Sequence, residues 1–382
     1  MLKQYVGILL NSRMYQGVPR MRTRPEYLFH YETAGAAYGL TPCYLRLEDI
    51  HPASGNCLAY VWDQYEYRQQ RIPIPDVIHN RALYSGESSH RKLDRLLAGG
   101  IQVYNARNRY AKDQIQLLLA EDPLIWQHLP HSTVATPDSL EHMLSRYGDI
   151  VIKPANGSVG RGIMRLSLRS RGGWELQCEN PAQPGRWMTL PLPSRQLPPF
   201  VKRRISSRTY LAQETLPLAA IEGRPYDLRV TVQRGGQGSW DVTGMFAKVA
   251  PGHTFVSNVA QGATALPAAE ALQLSFPHIS TDSLLHQIRE LSLRIAQHLA
   301  SRLPHLADLG LDIGITGTGE LYFIESNGRD QRYGFRLAGM SAAWKDSYWR
   351  PMAYARWLLD QPAAPYTPLF SPASPPEGKN FW

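Results

Sequence analysis

The chain has 382 residues, 43% of them apolar, enough to bury a sizeable core and to divide into two or three domains. Its 41 Lys and Arg against 32 Asp and Glu leave a net charge of +9, which favours anionic ligands. Apart from Lys202, Arg203 and Arg204 the basic residues are scattered, which points to a solvated face and away from a nucleic-acid surface.

Cys43, Cys57 and Cys178 are far apart and odd in number, so neither a disulfide framework nor a zinc site is expected, and a reducing compartment fits best. The apolar run Val6 to Leu10 is too short for a signal-peptide core. No segment approaches the roughly 20 apolar residues that span a bilayer. A soluble, cytoplasmic protein is the expectation.

In chain order, Tyr5-Val-Gly-Ile-Leu-Leu10 predicts a buried strand ending in polar Asn11 and Ser12, as in an open α/β domain. Glu26 to Tyr38 has helical composition, and Thr41 to Leu47 and Pro75 to His79 are further strand candidates. Residues 1–105 therefore predict a small α/β domain. Lys112 to Leu129 has helical spacing at Ile115, Leu118 and Leu119, interrupted by Pro123. Asp149 to Lys153 predicts a short strand entering a glycine-rich turn, and the Gly, Pro, Arg and Ser content of 169–199 predicts hairpins and loops of a mobile subdomain.

A boundary is expected at 208, with a third block opening on the strand Thr209 to Gln213 and continuing through Asp227 to Gln233. Leu284, Ile288, Leu291, Ile295 and Leu299 form one apolar face, predicting a helix from Thr281 to Ser301. Two strands, Leu311 to Ile315 and Leu321 to Ile324, follow it around the turn Thr316 to Gly319. After Gln361 six prolines predict a disordered tail over 362–382.

Three groups of residues could carry chemistry. After the strand at 149–153 come Gly157, Gly160 and Gly162, a loop able to aim backbone N–H groups at phosphate, with Lys153 adding charge; a plain hairpin turn is the alternative. The loop is neither a Walker loop nor a dinucleotide-binding fingerprint. Asp312 and the segment Glu325-Ser-Asn327 offer two carboxylates and an amide as hard oxygen ligands for Mg²⁺, against a solvent-facing strand end as the alternative. Asp227 and Arg229 lie two apart on one strand face, as an internal ion pair or, beside a phosphate site, with the arginine free to grip oxygens.

In their order these pieces resemble the ATP-grasp superfamily, and most closely its YheC/YheD endospore coat-associated branch. The resemblance covers about 100 to 345 and rests on Asn105 to Lys112, Val151 to Ile163, Leu211-Ala-Gln-Glu214, Asp227 with Arg229, Asp312, and Glu325 to Asn327. It implies an α/β (α+β) ATP-grasp fold preceded by an open α/β pre-ATP-grasp domain. By position, Lys112 and Lys153 would contact ATP phosphates under a loop including Gly157, Ser158, Gly160 and Gly162. Gln213 and Glu214 would face the adenine edge near Leu211, and Asp227 would sit near ribose or metal. Asp312, Glu325 and Asn327 would hold Mg²⁺, two ions in all, with Lys248 and Asn258 as further basic and amide candidates. Ala111 stands where many relatives have Asp, and Arg161 interrupts the last two glycines.

The resemblance implies a ligase that phosphorylates a carboxylate with ATP and passes the acyl phosphate to an amine, a thiol or a similar nucleophile, with Lys153, Arg229 and Lys248 as catalytic residues and a possible spore-coat setting. The alternatives are a kinase that stops at the phosphorylated product and a nucleotide-binding coat scaffold. No signature identifies the carboxylate.

Overall fold

A computed structural model describes residues 3–157, 161–170, 172–183, 185–252, 255–257, 259 and 262–362. Its strands form three sheets in succession. The first holds β1 (Tyr5–Leu9), β2 (Thr41–Leu45), β3 (Ile50–His51), β4 (Asn56–Trp62), β5 (Tyr67–Pro73), β6 (Val77–Asn80) and β7 (Gln102–Tyr104). β1 pairs in parallel with β2 and β6, and β6 with β7, while β4 and β5 form an antiparallel hairpin at the edge. Four buried residues of β1 explain the apolar run at 6–9, because parallel strands are covered on both faces.

The second sheet holds β8 (Ser132–Val134), β9 (Asp149–Pro154), β10 (Met164–Leu168), β11 (Trp174–Glu179), β12 (Trp187–Leu192) and β13 (Tyr210–Glu214), in the order β12-β11-β10-β9-β13-β8. The helix Pro137–Tyr147 covers it. That helix starts at a reciprocal cap between Thr136 and Ser139 and stops at Gly148, whose φ of 72° suits glycine. The expected boundary at 208 is corrected here: β13 pairs with β9 and β8, so Tyr210–Glu214 belongs to the second sheet and not to the third block.

The third sheet holds β14 (Ala220–Ile221), β15 (Arg224–Arg234), β16 (Trp240–Val249), β17 (Thr264–Pro267), β18 (Asp308–Ile315) and β19 (Leu321–Asn327). On one face Leu228, Val230, Val232, Leu311, Ile313 and Phe323 pack against the long helix Thr281–Arg302, whose Leu284, Ile288, Leu291, Ile295 and Leu299 are buried as their spacing predicts. Each such side chain contributes about 1.5–3 kcal/mol of apolar transfer. Strand alternation therefore turns Asp227, Arg229, Thr231 and Asp312 to the opposite face, where the candidate site lies.

Two segments cross the expected boundaries. The helices Lys112–Leu119 and Pro123–Trp126 bury Ile115, Leu119 and Ile125 in the core of the third sheet, not the second. The helix Ser341–Asp360 returns to the first sheet, placing Tyr348, Met352 and Leu358 in one cluster with Val6, Ile8 and Tyr31. The predicted tail lies outside the described residues from 363 onward. Among the described residues no helix is long and apolar enough to cross a membrane.

Candidate active site

Cross-strand pairing on the third sheet assembles a row of charges. Asp227 lies opposite Lys248, Arg229 opposite Asp312, and Asp312 opposite Glu325. Residues directly opposite share a face, so four strands contribute to one surface. The register between β18 and β19 steps at Ile324, which keeps Glu325 against Asp312 and Asn327 against Gly310.

Lys248 Nζ sits 2.9 Å from Asp227 and 3.0 Å from Asp312. Arg229 donates to Asp312 at 2.7 Å and, through Nη1, to Asp330 at 2.8 Å. Burial pushes the Asp312 carboxyl up, but Arg229 and Lys248 outweigh it and hold the group at about 2. Burial raises Asp227 above its ordinary value against the pull of Lys248, with Asp312 adding to the rise. Ser257 donates to the second oxygen of Asp227. Asp227 and Arg229 do not pair with each other in this network; each is held in an internal ion pair with a partner from elsewhere, so Arg229 is engaged and not free to grip phosphate.

The facing wall comes from β9, β13 and the start of the helix Lys112–Leu119. Lys153 is 9% exposed and, among the described residues, has no carboxylate within ion-pair distance. Burial, with the neighbouring charge of Lys112, pulls its ammonium down to about 8. Lys112 Nζ donates to the Gly157 carbonyl at 3.1 Å and lies 3.4 Å from Glu325, linking the loop to the metal-strand candidate. Gln213 shares the cleft-facing side of β13 with Leu211, opposite Val151 and Lys153.

Two adjoining cavities open between the walls, of about 310 and about 180 Å³. Lys112, Lys153, Gly157, Gln213 and Glu325 line both. The larger continues past Val151, Ile163, Leu216 and Leu218 and reaches Asp227, Lys248 and Asp312. The smaller runs past Asn327 to Asn108 and Arg329.

The structure thus brings together Lys112, Lys153, Gly157, Gln213, Glu214, Asp227, Lys248, Asp312, Glu325 and Asn327 around these cavities. Arg229 stands behind Asp312 in the charge row. Leu211 lines neither cavity; it is buried beside Lys153 in register. The Glu214 side chain accepts a hydrogen bond from the His131 backbone N–H at 2.7 Å, which fixes β13 to the chain entering β8 and occupies the carboxylate expected at the adenine edge. Gly162 has φ of 77° and close neighbours in Arg208 and Tyr210, so a side chain there would be strained. Ser158, Gly160 and Asn258 lie outside the described residues.

Sequence reasoning missed Asp330, Arg329, Asn108 and Ser257. The first two follow directly on the Glu325-Ser-Asn327 segment, and that adjacency was the available signal.

The donor set suits Mg²⁺. Asp312 and Glu325 offer carboxylates and Asn327 an amide along the cavities, hard oxygen donors of the kind that hold this ion while phosphate and water complete its shell. Asp312 and Glu325 are neutralised here by Arg229, Lys248 and Lys112. Lys112 and Lys248, which line the cavity, are the cations that a metal on the two carboxylates would free for phosphate.

The curated relatives include the endospore coat-associated proteins YheD and YheC of Bacillus subtilis (strain 168). YheD is 25% identical over 328 residues, 82% of this chain and 69% of that protein; YheC is 22% identical over 299 residues, 74% of this chain and 79% of that protein. A similar solved structure is the ATP-grasp ligase PsnB complexed with a phosphomimetic variant of minimal precursor, Mg and ADP, with a TM-score of 0.53 at 15% identity, over 93% of this chain and 99% of that one. The likeness shows a mixed α/β ATP-grasp fold. Residues 100–358 match the model of the YheC/D-like ATP-grasp family, and the chain belongs to that family.

Proposed function

We propose that this protein is a Mg-ATP-dependent ligase that activates a carboxylate as an acyl phosphate and transfers it to an amine or a thiol. The observation that carries this reading is Lys153, a buried ammonium with no carboxylate within ion-pair distance among the described residues and only the charge of Glu325 to offset its burial, facing a row of carboxylates across a cavity. A buried cation of this kind is stabilised by an anionic ligand, and a triphosphate meets that need.

The base would lie among Val151, Ile163, Leu216 and Leu218, and Lys112, Lys153 and Lys248 would hold the phosphates. Asp312, Glu325 and Asn327 would hold two Mg²⁺, which would offset phosphate charge and polarise the γ-phosphoryl group. Arg229 holds Asp312 in position from behind. Phosphoryl transfer depends mainly on such positioning and charge neutralisation. The relatives' names as endospore coat-associated proteins support a protein that acts at the endospore coat.

Calorimetric titration of Mg-ATP into wild type and Glu325→Ala tests the reading. Micromolar binding to wild type that weakens at least tenfold in the variant is expected, with ADP and phosphate released once the carboxylate and nucleophile are supplied. A folded wild-type protein that does not bind Mg-ATP overturns it. Release of a phosphorylated product with no new amide or thioester would make it a kinase instead.

A further inference from the structure

Residues 161–208 hold 10 Lys and Arg against 2 Asp and Glu, which is +8 of the chain's +9. No Asp or Glu occurs from 180 to 213. Among the described residues Arg165 alone of these cations has a carboxylate within ion-pair distance, Asp149. Arg186, Arg195, Lys202, Arg203 and Arg208 are exposed. Charges of one sign gathered on one subdomain repel each other, and an anionic partner relieves that repulsion.

The same stretch holds an open sheet edge. β12 ends the order of the second sheet and, among the described residues, pairs with β11 alone. The Asn180 N–H donates to the Arg186 carbonyl at 2.7 Å. Antiparallel alternation then turns the backbone groups of Met188 and Leu190 toward β11, and those of Trp187, Thr189 and Pro191 outward. Proline fits an outward-facing edge position, but it brings a carbonyl and no donor, so the open ladder is short and a strand added there needs other contacts. Those contacts flank the edge. On one face Met188 and Leu190 pack with Val201 and Phe200 of the helix Pro199–Ser207, which carries Lys202 and Arg203. On the other, Trp187 meets the Phe255 ring at 5.3 Å, on the wall of the larger cavity. Arg186 stands at one end of β12 and Arg195 beyond the other.

These features select the partner. Joining β12 to β12 of a second copy would bring two segments of like charge together, which is unfavourable across strands. A nucleic acid would meet the cations and leave the open ladder unpaired. An extended peptide pairs with a free edge through its main chain, and an acidic one also meets the cations. We propose that β12 is a docking site for an acidic, extended segment of a partner protein. The segment adds a strand at Trp187 to Thr189 and lays carboxylates against Arg186, Arg195, Lys202 and Arg203. None of these four cations lines either nucleotide-site cavity, so the docking site stands whether or not the ligase reading does.

Fluorescence anisotropy on the full chain tests this, with a dye-labelled peptide of alternating Glu and Val as probe and a single-stranded oligonucleotide of equal charge beside it. Wild type is expected to bind the peptide more tightly than the oligonucleotide. Lys202→Glu combined with Arg203→Glu should weaken peptide binding about tenfold. Thr189→Pro removes one outward donor at constant charge and should weaken it about 2- to 10-fold. The peptide N-methylated at every Val, and the one N-methylated at every Glu, read the ladder from the other side, and one of the two should lose binding to wild type. Melting scans check that the variants fold; if Thr189→Pro does not, the methylated peptides decide. A wild type that does not bind the acidic peptide overturns the proposal, as does one that binds both methylated peptides as well as the parent. Tighter binding of the oligonucleotide, unchanged in Thr189→Pro, also overturns it and makes the segment a nucleic-acid surface.

Discussion

Arg229 grips Asp312 at two points across adjacent strands: Nε lies 2.7 Å from one carboxylate oxygen and Nη2 3.3 Å from the other. A lysine cannot reproduce that fork. Arg229→Lys is therefore expected to keep the charge but let Asp312 turn, lowering the rate of ADP release about 10- to 100-fold while ATP affinity changes little. Steady-state kinetics beside calorimetry separate the two effects. Equal losses in rate and affinity would mean that Arg229 binds nucleotide directly.

The other side of Arg229 rests on Asp330, which is fully buried and also accepts from Thr231 Oγ1. Asp330 reaches this place because Gly310 has no side chain; a Cβ there would collide with the Asp330 carboxylate. Asp330→Asn weakens a buried charged hydrogen-bond pair and is expected to cost about 2–4 kcal/mol in urea denaturation. Gly310→Ala should lower stability through the same displacement, and the double variant should lose less than the sum of the two. Full additivity would show that the positions act independently.

Asp330 also shows where the sequence stops being legible. Strand alternation places Asp227 with Arg229, and Glu325 with Asn327, on one face from spacing alone, and a repeat of three and four marks the apolar face of Thr281–Arg302. Those patterns are local. Asp330 lies in a loop without periodicity, and its partners Arg229 and Thr231 come from a distant strand. Tyr210–Glu214 was identifiable as a strand, but nothing in five residues states that it pairs with β9. The final helix is masked by Pro351 and by aromatic residues spread over several faces, which pack across onto the first sheet.

Asp308 joins that first sheet to the third. Its carboxylate meets Arg332 at 2.7 Å, Arg81 at 3.2 Å and His79 at 3.5 Å, all buried. Burial pushes Asp308 up, but Arg332, the adjacent His79 and Arg81 together hold it below the usual carboxylate range. Burial pulls His79 down to about 4, against the pull of Asp308, so it stays neutral at pH 7. Asp308→Asn would leave two buried guanidinium groups short of a counterion, and a loss of about 3–5 kcal/mol is expected. The depressed carboxyl makes its stabilising contribution above its unfolded value, and that contribution is lost as pH falls through the folded one. The variant's deficit should therefore be full at pH 7 and shrink in strong acid. A deficit independent of pH would attribute it to packing alone.

Lys153 sets function against stability. Its ammonium titrates at about 8, chiefly because of burial and secondarily because of Lys112, whereas an unfolded lysine titrates near 10.4. Between these values the unfolded chain binds the more protons, so the lysine makes stability rise with pH across that window. Below pH 8 the charged form carries the full penalty, on the order of 3 kcal/mol. Lys153→Met removes the charge at similar length, so at pH 7 and without nucleotide the variant should melt several degrees above wild type. The same change should abolish Mg-ATP binding. In wild type, affinity should fall as pH rises above 8, because phosphate favours the protonated form. Calorimetry at pH 7 and 9 measures that slope, and scanning of the nucleotide-free proteins measures the melting shift. A variant that melts below wild type would show that Lys153 is stabilised by contacts outweighing its desolvation, and a pH-independent affinity would remove it from the phosphate site.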